Sequence, residues 1–289
     1  FIKNERSFPK CNIKPSKIII NDEIDEQKLL FVFDRQVAKD YWELRKKWSE
    51  FHFSPDFIRV DEFAYFQNRS VGSGSLLSLE HENLCEYLLE YLDSQIKLGQ
   101  KHGSKITLNE FIEKPYNFLI ENDYLDSLPL SVCKRLKSLI NSTEVLTIVP
   151  SIIEPWPYIS NKFLEFTDLS PVEFRCAPIF HDFFYMLMKY EMYGSRKKTH
   201  KTFLPKLFSE IKKIENQGLN VTSNNLSRLA KKINSITSYD KLIDIYVLMM
   251  IYHCFVKYFS TGRFLFDTSK QRIITAINTH SKIFNQISE

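Results

Sequence analysis

Residues 136–193 constrain the fold more than any other stretch, because they gather many aromatic side chains around three prolines that no continuous helix can hold. Pro150, Pro155 and Pro157 each remove a backbone donor and push the preceding residue toward extended backbone. Together they predict a rigid elbow over SIIEPWPYI, carrying Trp156 and joining two helical segments. Further on, Ser170, Pro171 and Glu173 stand in the order of an N-cap, a first-turn proline and an N3 carboxylate, so a helix should start there or restart at Pro178. Phe174, Ile179, Phe180, Phe183, Phe184, Met186, Leu187 and Tyr190 cover much of the circumference of that helix, which makes it central and buried. Gly194 supplies its C-terminal stop.

The rest of the chain reads as helices attached to a small β unit. A content of 44% hydrophobic residues with only 7 glycines in 289 favours helices over a glycine-punctuated sandwich or barrel. KIII at 17–20 and LLFVF at 29–33 are apolar, partly β-branched runs that predict two strands, and DFIRVDEFAYF predicts a further one. Between them, Val37, Tyr41, Leu44, Trp48 and Phe51 recur at helical spacing until Pro55 ends the pattern. The glycine/serine tract 68–78 marks a boundary, and its GSGS fits neither phosphate-cradling glycine motif. Beyond it, helical periodicity covers 80–98, 108–120, 130–140 and 159–166, with a short β-like VLTIV at 145–149. A basic helix pair follows at 203–214 and 226–233, then the very apolar 239–259, a predicted strand GRFLF, and a last helix whose stripe contains Ile273, Ile277, His280, Phe284 and Ile287. The expected fold is mainly α, a multi-helix domain at 73–289 with a small β-containing N-terminal region at 1–72 (α+β).

Five widely spaced cysteines without a CxxC pair argue against a disulfide framework or zinc knuckle and for a reducing, cytoplasmic setting. The apolar run 245–252 is far shorter than the roughly 20 residues a membrane span needs, so no membrane partner is expected. Phe1 in the first position, in place of methionine, points to residues upstream. The charge is uneven: residues 194–232 hold ten lysines and arginines against two glutamates, a balance of +8, and the remainder therefore sums to −4 on a chain of net +4. Such a segment suits a surface that meets phosphate, or a solvated helix pair. Arg196, Lys197, Lys198 and Lys201 are the candidate phosphate contacts, since they precede a helix whose N-terminal amides also attract anions.

LSLEHENLCEYLLEYL at 77–92, KRLKSLINS at 134–142, the proline-bearing connector, the S-P-x-x-x-R phrase at 170–175 and YDKLIDIYVLMMIYHCF at 239–255 follow one another in an order that resembles McrC-type subunits of McrBC-like restriction systems. The resemblance spans about residues 77–260. It implies a helical domain ahead of a PD-(D/E)xK nuclease, duplex DNA as partner and an ATPase or GTPase motor subunit. The nuclease itself is not legible. Two carboxylates must hold Mg²⁺ there while a lysine offsets developing charge, yet only Asp267 and Glu289 follow the relevant helix as acids, and no acid-x-Lys triplet does.

A second chemistry rests on His181-Asp182, an adjacent pair that resembles the metal-dependent HD phosphohydrolases, with His81 or His102 and Asp240 or Asp244 as further ligands. Cys176 and His181 as a nucleophile pair are set aside, because five positions along a helix turn their side chains about 140° apart. The sequence therefore leads to a non-catalytic, DNA-contacting or partner-docking subunit of a restriction-type antiviral defence system, with no cofactor or metal of its own. The alternatives are an HD-type phosphohydrolase and an interaction scaffold that binds no nucleic acid.

Overall fold

The computed structural model describes residues 10–14, 17–22, 27–32, 35–51, 57–68, 74–151, 157–160, 163–166, 175–193, 202–217, 224–261 and 266–288. The chain forms two compact units, one from Phe1–Ser75 with Trp156–Phe174 and the other from Leu76–Pro155 with Arg175–Glu289.

In the first unit, β1 (Lys10–Lys14), β2 (Lys17–Asp22), β3 (Gln27–Val32), β4 (Phe57–Arg59) and β5 (Ala64–Asn68) make an antiparallel sheet in the order β1-β2-β3-β5-β4. The β-branched run of β2 explains its place inside the sheet: Ile18, Ile19 and Ile20 pair Phe31, Leu30 and Leu29 of β3. Helix α1 (Arg35–Ser49) packs against β3 and buries Ala38, Arg45 and Trp48. A second small sheet joins β6 (Gly74–Ser75), β9 (Pro157–Ser160) and β10 (Phe163–Phe166).

That second sheet corrects the helix expected over 159–166 and the elbow expected to join two helices. Ile159 pairs Leu164 and Tyr158 pairs Glu165 in an antiparallel ribbon. Aromatic and β-branched residues that fit a helical stripe over one turn also fit alternate faces of two short strands, and the cross-strand partner decides between them. Trp156, Ser170, Pro171, Glu173, Phe174 and Gly194 lie outside the described residues.

The second unit is helical around a three-stranded sheet, β11 (Arg175–Pro178), β8 (Val145–Ser151) and β7 (Ser104–Thr107), in that order. Pro150 stands in β8 opposite Cys176, so this proline ends no helix but belongs to a strand. Cys176 is accordingly on β11 and not on the helix bearing His181. The helices are α2 (His81–His102), α3 (Leu108–Glu121), α4 (Leu130–Ile140), α5 (His181–Tyr193), α6 (Phe203–Gln217), α7 (Asn225–Asn234), α8 (Tyr239–Thr261) and α9 (Phe266–Ser288). Thr107 and Glu110 form a reciprocal capping box at the start of α3. A Cβ on Gly99 of α2 would come within 3.1 Å of Val149 on β8 and 3.3 Å of Ile179, so the bare glycine lets helix and strand approach closely. The expected strand GRFLF is corrected at its end, where Phe266 opens α9, while 262–265 lie outside the described residues.

Mainly helical with a small β content, the fold agrees with its expected class. Helix α5 is buried at every residue from His181 to Met188, and α8 from Tyr246 to Cys254. No helix among the described residues is long and apolar enough to cross a membrane.

Candidate functional site

Strand β8 brings its last residue, Ser151, against the first turn of α5. Ser151 Oγ donates to Asp182 Oδ1 at 2.6 Å, and His181 Nδ1 lies 3.0 Å from the same oxygen. All three side chains are buried, with Ser151 and His181 each only 1% exposed. The His181 ring turns Nδ1 to that carboxylate, which leaves Nε2 as its other polar atom. Nε2 is buried and has no hydrogen-bond partner among the described residues. The imidazole stands edge-on to Tyr252, whose ring stacks on Phe111.

The approach to this turn is strained. Phe180 has φ of 79°, a left-handed conformation that bulky side chains rarely adopt, and its carbonyl accepts from Phe184 N–H to open α5. Its ring is inside, against Phe183 and Phe184. Tyr91 of α2 accepts from Gln95 Nε2 at 2.9 Å, and burial, with the Asp182 carboxylate adding to it, lifts its phenol well above the ordinary range.

Two more buried polar centres flank α5. His253 Nδ1 and His280 Nε2 meet at 2.9 Å, joining α8 to α9, and Tyr246 OH lies 3.5 Å from His280 Nδ1. Burial first, then the neighbouring His253, Lys189 and His181, drive the His280 pKa well below its usual value. On α5 itself, Glu191 accepts from Leu204 N–H in the first turn of α6, and burial pushes its carboxyl up to about 8.

His181 and Asp182 are thus brought together, but not with the other nominated ligands. Asp240 and Asp244 pair with Arg135, at 3.4 Å and 2.5 Å, and His81 packs edge-on against Phe203. Among the described residues no three His, Cys, Asp or Glu side chains gather where they could hold a metal ion. Arg196, Lys197, Lys198 and Lys201 lie outside the described residues. Burial pushes the Cys85 and Cys254 thiols up to about 12, so neither is a ready nucleophile. Ser151, Tyr91 and Glu191 carried no sequence signal, whereas His280 did, as a histidine inside an otherwise apolar stripe.

Comparison with known proteins decides the fold. The choline kinase LicA from Streptococcus pneumoniae matches over 95% of this chain and 92% of its own, at TM-score 0.53 and 10% identity. APH(2")-IIia, solved with GDP and kanamycin, matches over 98% and 94%, at TM-score 0.51 and 11% identity. The chain shares the fold of these two proteins. No family model and no curated protein matches the sequence.

This corrects the McrC-like resemblance, and with it the DNA-contacting restriction subunit, the antiviral-defence role, and the HD-phosphohydrolase and scaffold alternatives. A succession of leucine-rich helices is compatible with many helical proteins. The pairing of β8 with β11 joins segments that are distant in the chain, which no local pattern encodes.

Proposed function

We propose that this chain is a phosphotransferase of the kinase-like fold, binding a nucleoside triphosphate and passing its terminal phosphoryl group to a hydroxyl of a small molecule. The supporting observation is that the fold runs through nearly the whole length of both this chain and a choline kinase. Likeness to a protein solved with GDP and kanamycin points the same way. One fold hosts several functions, so the site has to be tested directly.

Phosphoryl transfer is largely positioning and charge neutralisation, ordinarily with Mg²⁺ bridging the phosphates. The described residues do not provide a cluster that fits such an ion. What they provide is support: Asp182 ties the end of β8 to α5, and β11 pairs with β8 from Arg175 to Pro178, on the two strands from which the chain leaves the second unit and returns to it. A second form of the proposal, nucleotide binding without transfer, is favoured by one observation. The sequence contains neither the H-R-D phrase nor the D-F-G triplet that protein kinases use for base and metal.

The test is a titration with ATP and with GTP, each with Mg²⁺, followed by transfer of γ-labelled phosphate to choline and to kanamycin. Label in the acceptor supports transfer, while saturable nucleotide binding with no labelled product supports the second form. Absence of nucleotide binding up to about 1 mM, the upper end of ordinary substrate constants, would sink both.

A further inference from the structure

We propose that the contact between His253 and His280 is a pH-operated latch, which holds helix α9 on α8 near neutrality and lets α9 open ahead of the rest of the second unit in acid. Helix α9 packs on α8, on α6 and on the turn Leu125–Ser127, and it buries Ile273, Ile277, Phe284 and Ile287. Its polar ties to α8 include Tyr239 OH, which donates to Ile287 O at 2.5 Å, and two that end on His280. Those two are His253 Nδ1 with His280 Nε2 at 2.9 Å, and Tyr246 OH with His280 Nδ1 at 3.5 Å. The His280 side chain is fully buried.

The surroundings of His280 decide what a further proton does there. A bond between two ring nitrogens needs a hydrogen on one and a lone pair on the other, which neutral imidazoles supply. A positive charge on the buried ring is costly unless a carboxylate stands against it. Burial disfavours that charge first, and the groups that add to it are all cations or bases that become cations: His253 on α8, with Lys189 and His181 on α5. Lys189 Nζ lies 5.2 Å over the Tyr185 ring, which stands edge-on to His253 at 4.8 Å. The carboxyls of the surrounding elements are engaged elsewhere. Asp182 holds Ser151 and His181, and Glu191, which acts on Tyr246, is kept protonated below about 8 by its burial. On α6, Glu210 accepts from Ser227 and pairs with Lys213, and Glu215 accepts from Tyr239 N–H. Asp126, in the turn packed on α9, is exposed.

A proton that cannot be answered inside is answered by water, and opening α9 is what brings His280 to water. The folded pKa of His280 lies below its unfolded value, so the latch is closed above about 6.5 and weakens as pH falls below that. Helix α2, which packs on α7 and β8, belongs to the same unit and serves as the internal reference. The inference stands without the phosphotransferase proposal.

The test is amide hydrogen exchange on the whole chain at pH 7 and pH 5, with the intrinsic exchange rates divided out so that opening constants are compared. A histidine that takes up its proton only in the open state, with an ordinary pKa near 6.5, raises the opening constant of α9 by roughly twentyfold to thirtyfold between the two. At pH 5 the amides of α9 should open at least about tenfold more often than those of α2. His280→Gln should cut the pH dependence of α9 at least about fivefold. Lys189→Gln, on a partly exposed side chain, leaves both histidines in place while removing a neighbouring cation, and should cut it at least about twofold. The second variant decides the matter if the first fails to fold. Opening of α9 that is equal at both pH values, opening of α9 and α2 together at pH 5, or a pH dependence untouched by these substitutions would each overturn the proposal.

Discussion

Helices α7 and α8 are consecutive in the chain, yet one is buried on a single face and the other on all sides. α7 turns Ser227, Leu229, Ala230 and Ile233 inward and leaves Arg228 exposed. α8 is enclosed by α3, α4, α5, α6 and α9, and from Tyr246 to Cys254 nothing on it faces water. Three of the lysines on α6 and α7 have partners within the fold: Lys232 pairs with Asp93, Lys213 with Glu210 at 3.6 Å, and Lys212 lies 5.6 Å over the Tyr239 ring. A charge surplus counted along a sequence leaves out such tertiary partners. The enclosed helix shows the converse, since its polar groups, unable to reach water, have to find one another.

The contrast is broken most directly by truncating the enclosed side. Tyr246→Ala should cost about 3–5 kcal/mol, because Phe184, packed on its ring at 5.7 Å, would face a cavity, and His280 would lose its hydroxyl neighbour. Denaturant unfolding at constant slope measures it, and a loss under about 1 kcal/mol would show that α8 is not enclosed as described.

Titration sharpens the comparison at a smaller scale. His280 has a folded pKa below its unfolded value, so its contribution is present above the unfolded pKa and is lost as pH falls through about 6.5 and below. Glu191 has the opposite sign. With a folded pKa of about 8 against an ordinary 4.5, it favours the folded state at low pH and loses that contribution as pH rises toward 8. Each proton is worth at most about 1.4 kcal/mol per pH unit. Melting temperatures should fall less on acidification from pH 7 to 5 in His280→Gln than in the parent, and less on raising pH from 5 to 8 in Glu191→Gln. Identical pH profiles for the parent and both variants would mean that neither group is desolvated.

On the one-faced helix the expected effect is smallest. Arg228→Ala removes an exposed side chain whose hydrogen bond, to Asn225 Oδ1, is local, and should change stability by no more than about 0.5 kcal/mol. A loss comparable to that of Tyr246→Ala would erase the distinction between the two helices.

Local pattern determined a good deal by itself. The isoleucines of β2, the apolar run of β3, the one-sided periodicity of α2, α3, α4 and α7, and the burial of α5 and α8 follow from period and side-chain type, which are properties of neighbouring residues. Tertiary structure alone decided that Trp156–Phe174 belongs to the unit begun by the first seventy-five residues, and that Ser151 meets Asp182 across 31 positions. The His253–His280 bond spans 27 positions, and nothing near either residue announces the other. Such pairings are chosen by complementarity between distant segments once the apolar surface has collapsed. A sequence states which side chains must avoid water, and only the folded chain settles which of them do so together.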